Sequence, residues 1–141
     1  MTYVRFGDKV YSPVIDAGQA DYIVSFEILE AARWLSYLAP DGQIVTNTQR
    51  VDPMPVITGA MEYPENLADK MRAAGAKVDD FDALSVANAA GSAKAVNIAL
   101  MGRLSKYFDI DQSEWIKTIE QTVPAKFLEL NKKAFELGRN S

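Results

Sequence analysis

The polar residues best suited to hold a ligand follow two short apolar stretches of the chain. Ser25 and Glu27 come after the first stretch, and Asn47 and Thr48 close the second. If both stretches are parallel strands of an open sheet, their carboxyl ends share one rim, which is where such sheets bind ligands. Hydroxyl, carboxylate and amide groups would then meet at that rim. Ordinary turn formation explains Asn47 and Thr48 at least as well.

Two further candidates lie near the start of a central helix predicted over residues 92–108. Lys94 would occupy its first turn, where the side chain either reaches into solvent or helps to hold an anion, and we favour solvent. Asn97 falls on the larger apolar face, so we expect it to be buried and bonded to a loop backbone rather than to a ligand or a partner subunit. Glu30, one turn after Glu27, adds a second carboxylate at a helix start, where the dipole favours acids.

No residue stands out as catalytic. Glu27, Glu30 and Asp82 lack a second activated group at recognisable spacing, and helix capping is our leading explanation for Asp82. The chain contains no Cys and no His. Their absence excludes thiol nucleophiles, Ser-His-Asp triads, imidazole acid–base catalysis, the usual zinc sites and cysteine-ligated iron–sulfur clusters. We therefore predict no metal site, and chemistry that uses carboxylates, amides, hydroxyls or Lys, or that takes place on another chain.

Composition narrows the class of protein. The 141 residues, 48% of them hydrophobic, suit one globular domain spanning 1–141. The net charge of −4 and the lack of a Lys/Arg cluster argue against nucleic acid or an anionic membrane as a partner. No apolar run approaches the ~20 residues that cross a bilayer, and the N-terminus has no hydrophobic signal region, so we expect a cytoplasmic protein.

The central helix should organise the fold. Its apolar residues fall on two faces, so we expect it to be buried on two sides. One face carries the larger side chains, including Leu100 and Leu104. The other carries Ala95, Ala99 and Gly102, which allow a second backbone to approach closely, and we expect the sheet to be that neighbour.

The remaining patterns predict an α/β fold with an open, mostly parallel sheet, helices on both faces, an N-terminal β-hairpin and C-terminal helices. The predicted hairpin joins 3–6 to 9–12 through Gly7-Asp8. Strands are predicted at 20–26, 43–47 and 77–81, with an extended segment at 54–58. Helices are predicted at 27–39, 65–74, 83–90, 111–122 and 124–138, the last with a core stripe of Phe127, Leu130, Ala134 and Leu137.

A possible interface lies on the first helix. Arg33, Trp34 and Tyr37 share its outer face, and exposed aromatic and Arg side chains are enriched where proteins associate. An isolated surface Trp is common, so the patch alone is only suggestive.

Seven short segments, taken in order, resemble the gamma domain of 2-oxoacid:ferredoxin oxidoreductases, and most of all the beta subunits of indolepyruvate oxidoreductases. The set covers nearly the whole chain. The segments are VRFGDKVYSPVI at 4–15, G-x-A-D at 18–21, F-E-x-x-E at 26–30, NTQ at 47–49, YP at 63–64, A-x-x-x-G-x-x-x-x-x-N-x-x-x-x-G at 87–102 and N-x-x-A-F-x-x-G at 131–138.

The resemblance implies a Rossmann-like layer that completes a hetero-oligomeric enzyme. In such enzymes thiamine diphosphate and [4Fe-4S] clusters sit in a large partner subunit, which decarboxylates the 2-oxoacid and passes electrons to ferredoxin, with CoA as co-substrate. This chain would then be a gamma-type subunit without cofactors of its own. The family's glycine-rich loop does not precede Met1, so the chain resembles the C-terminal part of the domain.

Two functions from different classes follow. The first is a non-catalytic subunit of a 2-oxoacid oxidoreductase that acts on indolepyruvate or another arylpyruvate. The alternative is a free-standing α/β domain that binds a small ligand or a partner, with its site near Ser25, Asn47 and Lys94.

Overall fold

Three strands form one fully parallel sheet in the computed structural model, which describes residues 1–141. They are β1 (Ala20–Ser25), β2 (Leu38–Asn47) and β3 (Lys77–Phe81), and β2 lies between the other two. β1 and β3 match the predicted strands, whereas β2 begins five residues earlier than expected. The extra residues, which include Pro40 and Gly42, interrupt the register between β1 and β2 rather than ending a helix. Because the strands are parallel, Ser25 and Asn47 lie at the same edge of the sheet.

Helices cover both faces of the sheet, as predicted. On one face α1 (Ile28–Arg33) and α3 (Leu67–Ala73) bury Ala31 and Met71 against Ile44 of β2. On the other face α4 (Ala83–Ala90) and α5 (Val96–Ser105) bury a second apolar cluster against Val45. Ile44 and Val45 are both fully buried, because successive side chains of a strand point to opposite faces.

The central helix is buried on two sides, but one of its neighbours differs from the prediction. Leu100 and Leu104 of α5 pack towards Val45 of the sheet. The small-residue face instead meets α7 (Leu128–Asn140), since a Cβ on Gly102 would lie 2.1 Å from the Phe135 carbonyl oxygen. The second close backbone is therefore a helix rather than the sheet.

The C-terminal helices form as predicted, and of the predicted core stripe Leu130, Ala134 and Leu137 pack in the core while Phe127 does not. α6 (Gln112–Thr122) begins after Asp111, whose side chain accepts a hydrogen bond from the Ser113 N–H. A 3₁₀ turn at Ala125–Phe127 precedes α7. This turn takes Phe127 out of the phase of the helix, so Phe127 is exposed and Phe135 is the fully buried aromatic residue. Ala134 is buried as expected.

The predicted N-terminal hairpin is wrong. Residues 1–19 contain no strand, and the Arg5 guanidinium closes this segment by donating to the Val14 carbonyl at 2.9 Å. A two-stranded hairpin without a third strand is marginal in water, and Pro13 limits its pairing further.

Two other segments also differ from expectation. Residues 54–58 form a single helical turn, α2 (Met54–Ile57), rather than an extended segment, because Pro55 fits the first turn of a helix. The first helix ends at Arg33 and gives way to a 3₁₀ turn at Leu35–Tyr37, well before the predicted end at Ala39.

Candidate functional site

The carboxyl ends of β1 and β2 share one rim, and two of its predicted ligand-binding side chains are already bonded within the chain. Ser25 is buried, and its hydroxyl donates to the Glu27 carbonyl at 2.6 Å. Asn47 is fully buried, and its Oδ1 accepts a hydrogen bond of 3.1 Å from the Ala83 N–H at the start of α4. These two residues therefore fix the turns that leave the sheet.

Glu27 is the most connected polar group of the rim. It lies at the N-cap of α1 rather than in its first turn, is only 8% exposed, and accepts a bond of 3.0 Å from the Glu30 N–H through Oε2. Its Oε1 accepts from the Tyr63 hydroxyl and, at 3.4 Å, from the Val51 N–H. One carboxylate thus caps a helix and holds both ends of the segment 49–63, which we call the strap.

Tyr63 is the residue of this site that the sequence analysis did not single out. Burial and the bond to Glu27 raise the pKa of the Tyr63 hydroxyl above its ordinary value, so the group stays a hydrogen-bond donor at neutral pH. The Arg50 guanidinium lies 4.2 Å from the ring centre and pairs with Asp52 at 2.6 Å. The sequence signals for Tyr63 were its place before a proline at the end of a loop and the YP pair at 63–64 among the segments that carry the family resemblance.

Beside the strap lies a shallow depression of about 340 Å³. Its lining includes Thr48, Arg50, Tyr63, Arg72 and Asp80. Arg72 binds Asp80, and its guanidinium also contacts Asp69 at 3.1 Å. Because both arginines are already paired with carboxylates, the depression offers hydrogen-bonding groups but little free positive charge.

A charged cluster that the sequence analysis missed joins the end of α5 to β3. Arg103 of α5 binds Asp79 of β3 through two bonds of 2.8 Å, and the Tyr107 hydroxyl donates to the same carboxylate at 2.6 Å. Burial alone would raise the pKa of Asp79, but the bonds from Arg103 and Tyr107 outweigh it and leave the pKa below its usual value. Burial and Asp79 together raise the pKa of Tyr107 to about 12. The available signal was a pair of adjacent acidic residues inside a short predicted strand.

The remaining predicted site residues lie on the surface. Thr48 is exposed at the rim. Glu30 is exposed and pairs with Arg33 at 2.5 Å. Trp34 and Tyr37 are half-buried, with ring centres 5.0 Å apart, so this patch is less exposed than expected.

The structure does not join Lys94 or Asn97 to the rim through any hydrogen bond or ion pair. Lys94 is exposed in a 3₁₀ turn before α5. The predicted burial of Asn97 is wrong: the residue is exposed, and its Oδ1 accepts from the Ile98 N–H at 3.0 Å. The cover on that face of α5 begins only at Leu100, one turn later.

No group of three or more Asp, Glu, His or Cys side chains in the chain is placed to hold a metal ion. None of the helices is both long and apolar enough to cross a membrane.

Comparison with known proteins agrees with this geometry. The family model described as pyruvate ferredoxin/flavodoxin oxidoreductase matches residues 1–141. Indolepyruvate oxidoreductase subunit IorB of Thermococcus kodakarensis is 37% identical over 98% of this chain and 71% of its own length. The IorB subunit of Pyrococcus horikoshii is 36% identical over the same shares.

A solved structure shares the fold. The gamma subunit of a keto/oxoacid ferredoxin oxidoreductase from Geobacter sulfurreducens superposes with a TM-score of 0.63 at 20% identity. The match covers 90% of this chain and 66% of that one, so the chain spans about two-thirds of its structural neighbour. With a three-stranded parallel sheet covered on both faces and a family match along its whole length, the chain belongs to the pyruvate ferredoxin/flavodoxin oxidoreductase family.

Proposed function

We propose that this chain is a non-catalytic, gamma-type subunit that completes a 2-oxoacid:ferredoxin oxidoreductase, with indolepyruvate or another arylpyruvate as the 2-oxoacid. The observation that carries the proposal is the sequence identity of 36–37% to IorB subunits over 98% of the chain. Family membership makes the chain an oxidoreductase subunit; the substrate and the division of labour are what we propose.

The division of labour follows from the side chains. With no Cys, no His and no cluster of potential metal ligands, this chain offers nothing to hold an iron–sulfur cluster. We place the [4Fe-4S] clusters and thiamine diphosphate in a large partner subunit, with CoA as co-substrate of the complex and ferredoxin as electron acceptor. The assembly would be a cytoplasmic hetero-oligomer without nucleic acid or membrane as a partner.

The rim gives this subunit a structural role in the assembly. The polar groups of Ser25, Glu27 and Asn47 form hydrogen bonds that hold loops in place. Thr48 and the depression are therefore the parts of the rim that another molecule can reach. Lys94 and Asn97, exposed elsewhere, remain predicted ligand or partner contacts. Glu30 and the patch of Arg33, Trp34 and Tyr37 remain predictions of the same kind.

The test is reconstitution. The chain is co-expressed with a candidate large thiamine and iron–sulfur subunit, and the purified pair is assayed for reduction of a viologen dye with arylpyruvate and CoA. We expect the two chains to co-purify and the pair to be active, whereas each chain alone is inactive. A pair that neither co-purifies nor reduces the dye would exclude the proposal.

The alternative is a free-standing domain that binds a small ligand, and the depression of about 340 Å³ is the observation in its favour. Its two arginines are already neutralised by carboxylates, which weakens it as an anion site. A small molecule that co-purifies with the isolated chain, together with the absence of any large partner, would support this alternative.

A further inference from the structure

The accessible surface of the chain is larger than a compact monomer of its mass requires. A folded monomer of 15.6 kDa exposes about 7,300 Å². This chain exposes 8772 Å², an excess of roughly 1,500 Å² over that expectation. Specific complexes bury about 1,200–2,000 Å² in total. Because that total is shared by the two partners, at about 800 Å² on each, the excess is more than one standard interface would cover on this chain.

Part of this surface is the outward face of the strap. Met54, Ile57 and Met61 are 65–67% exposed, and Val51 is 56% exposed. Phe26, next to the carboxylate that holds the strap, is also more than half exposed. Exposed apolar side chains gathered on one short segment are typical of a surface that binds another molecule.

The strap presents these side chains on a fixed backbone. Its six consecutive N–H groups from Val56 to Met61 all donate to carbonyls within the strap. Both ends are tied to Glu27, through the Val51 N–H and the Tyr63 hydroxyl. A backbone that is held in this way loses little conformational entropy on binding, which favours association.

The chemistry of the patch indicates the kind of surface that it fits. Arg50 and Asp52 at its border neutralise each other at 2.6 Å, whereas Glu62, next to Met61, is an exposed carboxylate. Two of its exposed residues are Met, which adapts to irregular apolar surfaces and is enriched at interfaces. A matching partner surface is apolar and carries a basic group opposite Glu62.

We propose that the apolar face of the strap, formed by Phe26, Val51, Met54, Ile57 and Met61, is the docking surface for the large subunit of the oxidoreductase. This inference rests on the proposed function for the identity of the partner. The strap stands at the same edge of the sheet as the rim, so docking there covers the depression lined by Thr48, Arg50 and Tyr63. The partner would thus meet this chain at the end of the sheet where α/β proteins place ligands.

The experiment compares two triple variants of the full chain in binding to the co-expressed large subunit. The test variant is Met54→Ser/Ile57→Ser/Met61→Ser. The matched control is Val4→Ser/Tyr11→Ser/Val14→Ser, which removes exposed apolar groups from the N-terminal segment. All six side chains are exposed, so both variants should fold and keep the wild-type melting temperature within a few degrees.

We expect the strap variant to raise the Kd for the large subunit at least tenfold, and the control to change it less than threefold. In the wild-type complex, hydrogen exchange of the amides from Val56 to Met61 should slow relative to the free chain. Equal binding of the strap variant and the wild type overturns the docking proposal and leaves the proposed function standing. So does a strap variant that abolishes only self-association, because the patch would then bind a second copy. A wild-type chain that fails to bind the large subunit overturns both.

Discussion

The α5–α7 crossing, where two helix backbones touch, and the strap differ in how they use the backbone and the apolar side chains. At the crossing, two glycines bring helix backbones into contact: a Cβ on Gly102 would meet the Phe135 oxygen, and a Cβ on Gly138 would meet the Ala99 oxygen, each at 2.1 Å. In the strap, the backbone is bonded to itself and the apolar side chains point outward. The crossing has all of its packing partners within the chain, whereas the strap lacks a cover.

The two regions also differ in what holds them. The crossing depends on many small contacts between close backbones, which are individually weak and collectively large. The strap depends on one buried carboxylate that reaches it through two hydrogen bonds. Substitutions should therefore unfold the chain at the crossing but only loosen it at the strap.

The largest effect should come from Gly102→Ala. The added methyl group would lie 2.1 Å from a backbone oxygen of α7, and neither helix can move without opening the core between them. We expect a loss of at least about 3 kcal/mol of stability, the upper end for overpacking, despite the gain of about 1 kcal/mol in helix propensity. Urea denaturation followed by circular dichroism measures it.

The control for this substitution is Ala89→Gly, at an exposed position of α4. It should cost about 1 kcal/mol, the ordinary price of glycine in a helix. If Gly102→Ala proves no worse than this control, the helices do not meet as closely as described.

A smaller loss should follow Asp79→Asn, which removes the charge that ties β3 to α5. The Arg103 guanidinium, only 17% exposed, would lose its carboxylate, at a cost of about 2–3 kcal/mol near pH 7. Because the folded pKa of Asp79 is lowered, the stability that it adds is present above about pH 4 and is lost as the pH falls through the folded pKa. The difference in the free energy of unfolding between wild type and variant should therefore become smaller in acid.

Urea midpoints measured from about pH 7 down to about pH 2.5 test this pH dependence. Tyr107→Phe is the matched control, since it keeps the ion pair, removes one hydrogen bond and should cost about 1 kcal/mol. A gap between wild type and Asp79→Asn that stays constant across this range would contradict the assignment.

At the strap, Glu27→Gln should have a modest effect. The amide keeps the size of the side chain but weakens its bonds to the Tyr63 hydroxyl and the Val51 N–H, for a loss of about 1–2 kcal/mol. Hydrogen exchange of the strap amides should quicken, while that of α5 stays unchanged. Glu30→Gln, on an exposed carboxylate, should change the stability by no more than about 0.5 kcal/mol and leave the exchange of both regions unaltered. Unchanged exchange in the strap would mean that its own turns suffice to hold it.

The sequence revealed the crossing better than the strap, for a physical reason. Ala99 and Gly102 mark a close approach through local spacing, and only the identity of the neighbour was missed. The bond between Glu27 and Tyr63 joins residues 36 apart in the chain and leaves no periodic pattern. Asp82 was recognised as a cap because its partner, the Ser85 N–H, lies three residues away.

Short helical turns explain two further differences between the predicted and the observed structure. The 3₁₀ turn before α7 rotated Phe127 out of the core, although the stripe read from the sequence was otherwise close. Pro53 and Pro55 suggested an extended segment, whereas Pro55 lies in the first turn of the helix that begins at Met54. Short turns at the ends of helices shift side chains without leaving a strong sequence signal.

The smallest effect should come from Asn97→Leu, which tests where the cover of α5 begins. A buried Asn would carry hydrogen bonds whose loss costs about 1–3 kcal/mol, but this Asn is exposed and bonds only to the next N–H. We therefore expect a change in stability within about 0.5 kcal/mol, measured by urea denaturation. Leu100→Ala, one turn later on the same helix and fully buried, is the matched contrast and should cost about 2–5 kcal/mol. A loss at Asn97 approaching that at Leu100 would show that the first turn of α5 is buried on this face like the rest of the helix.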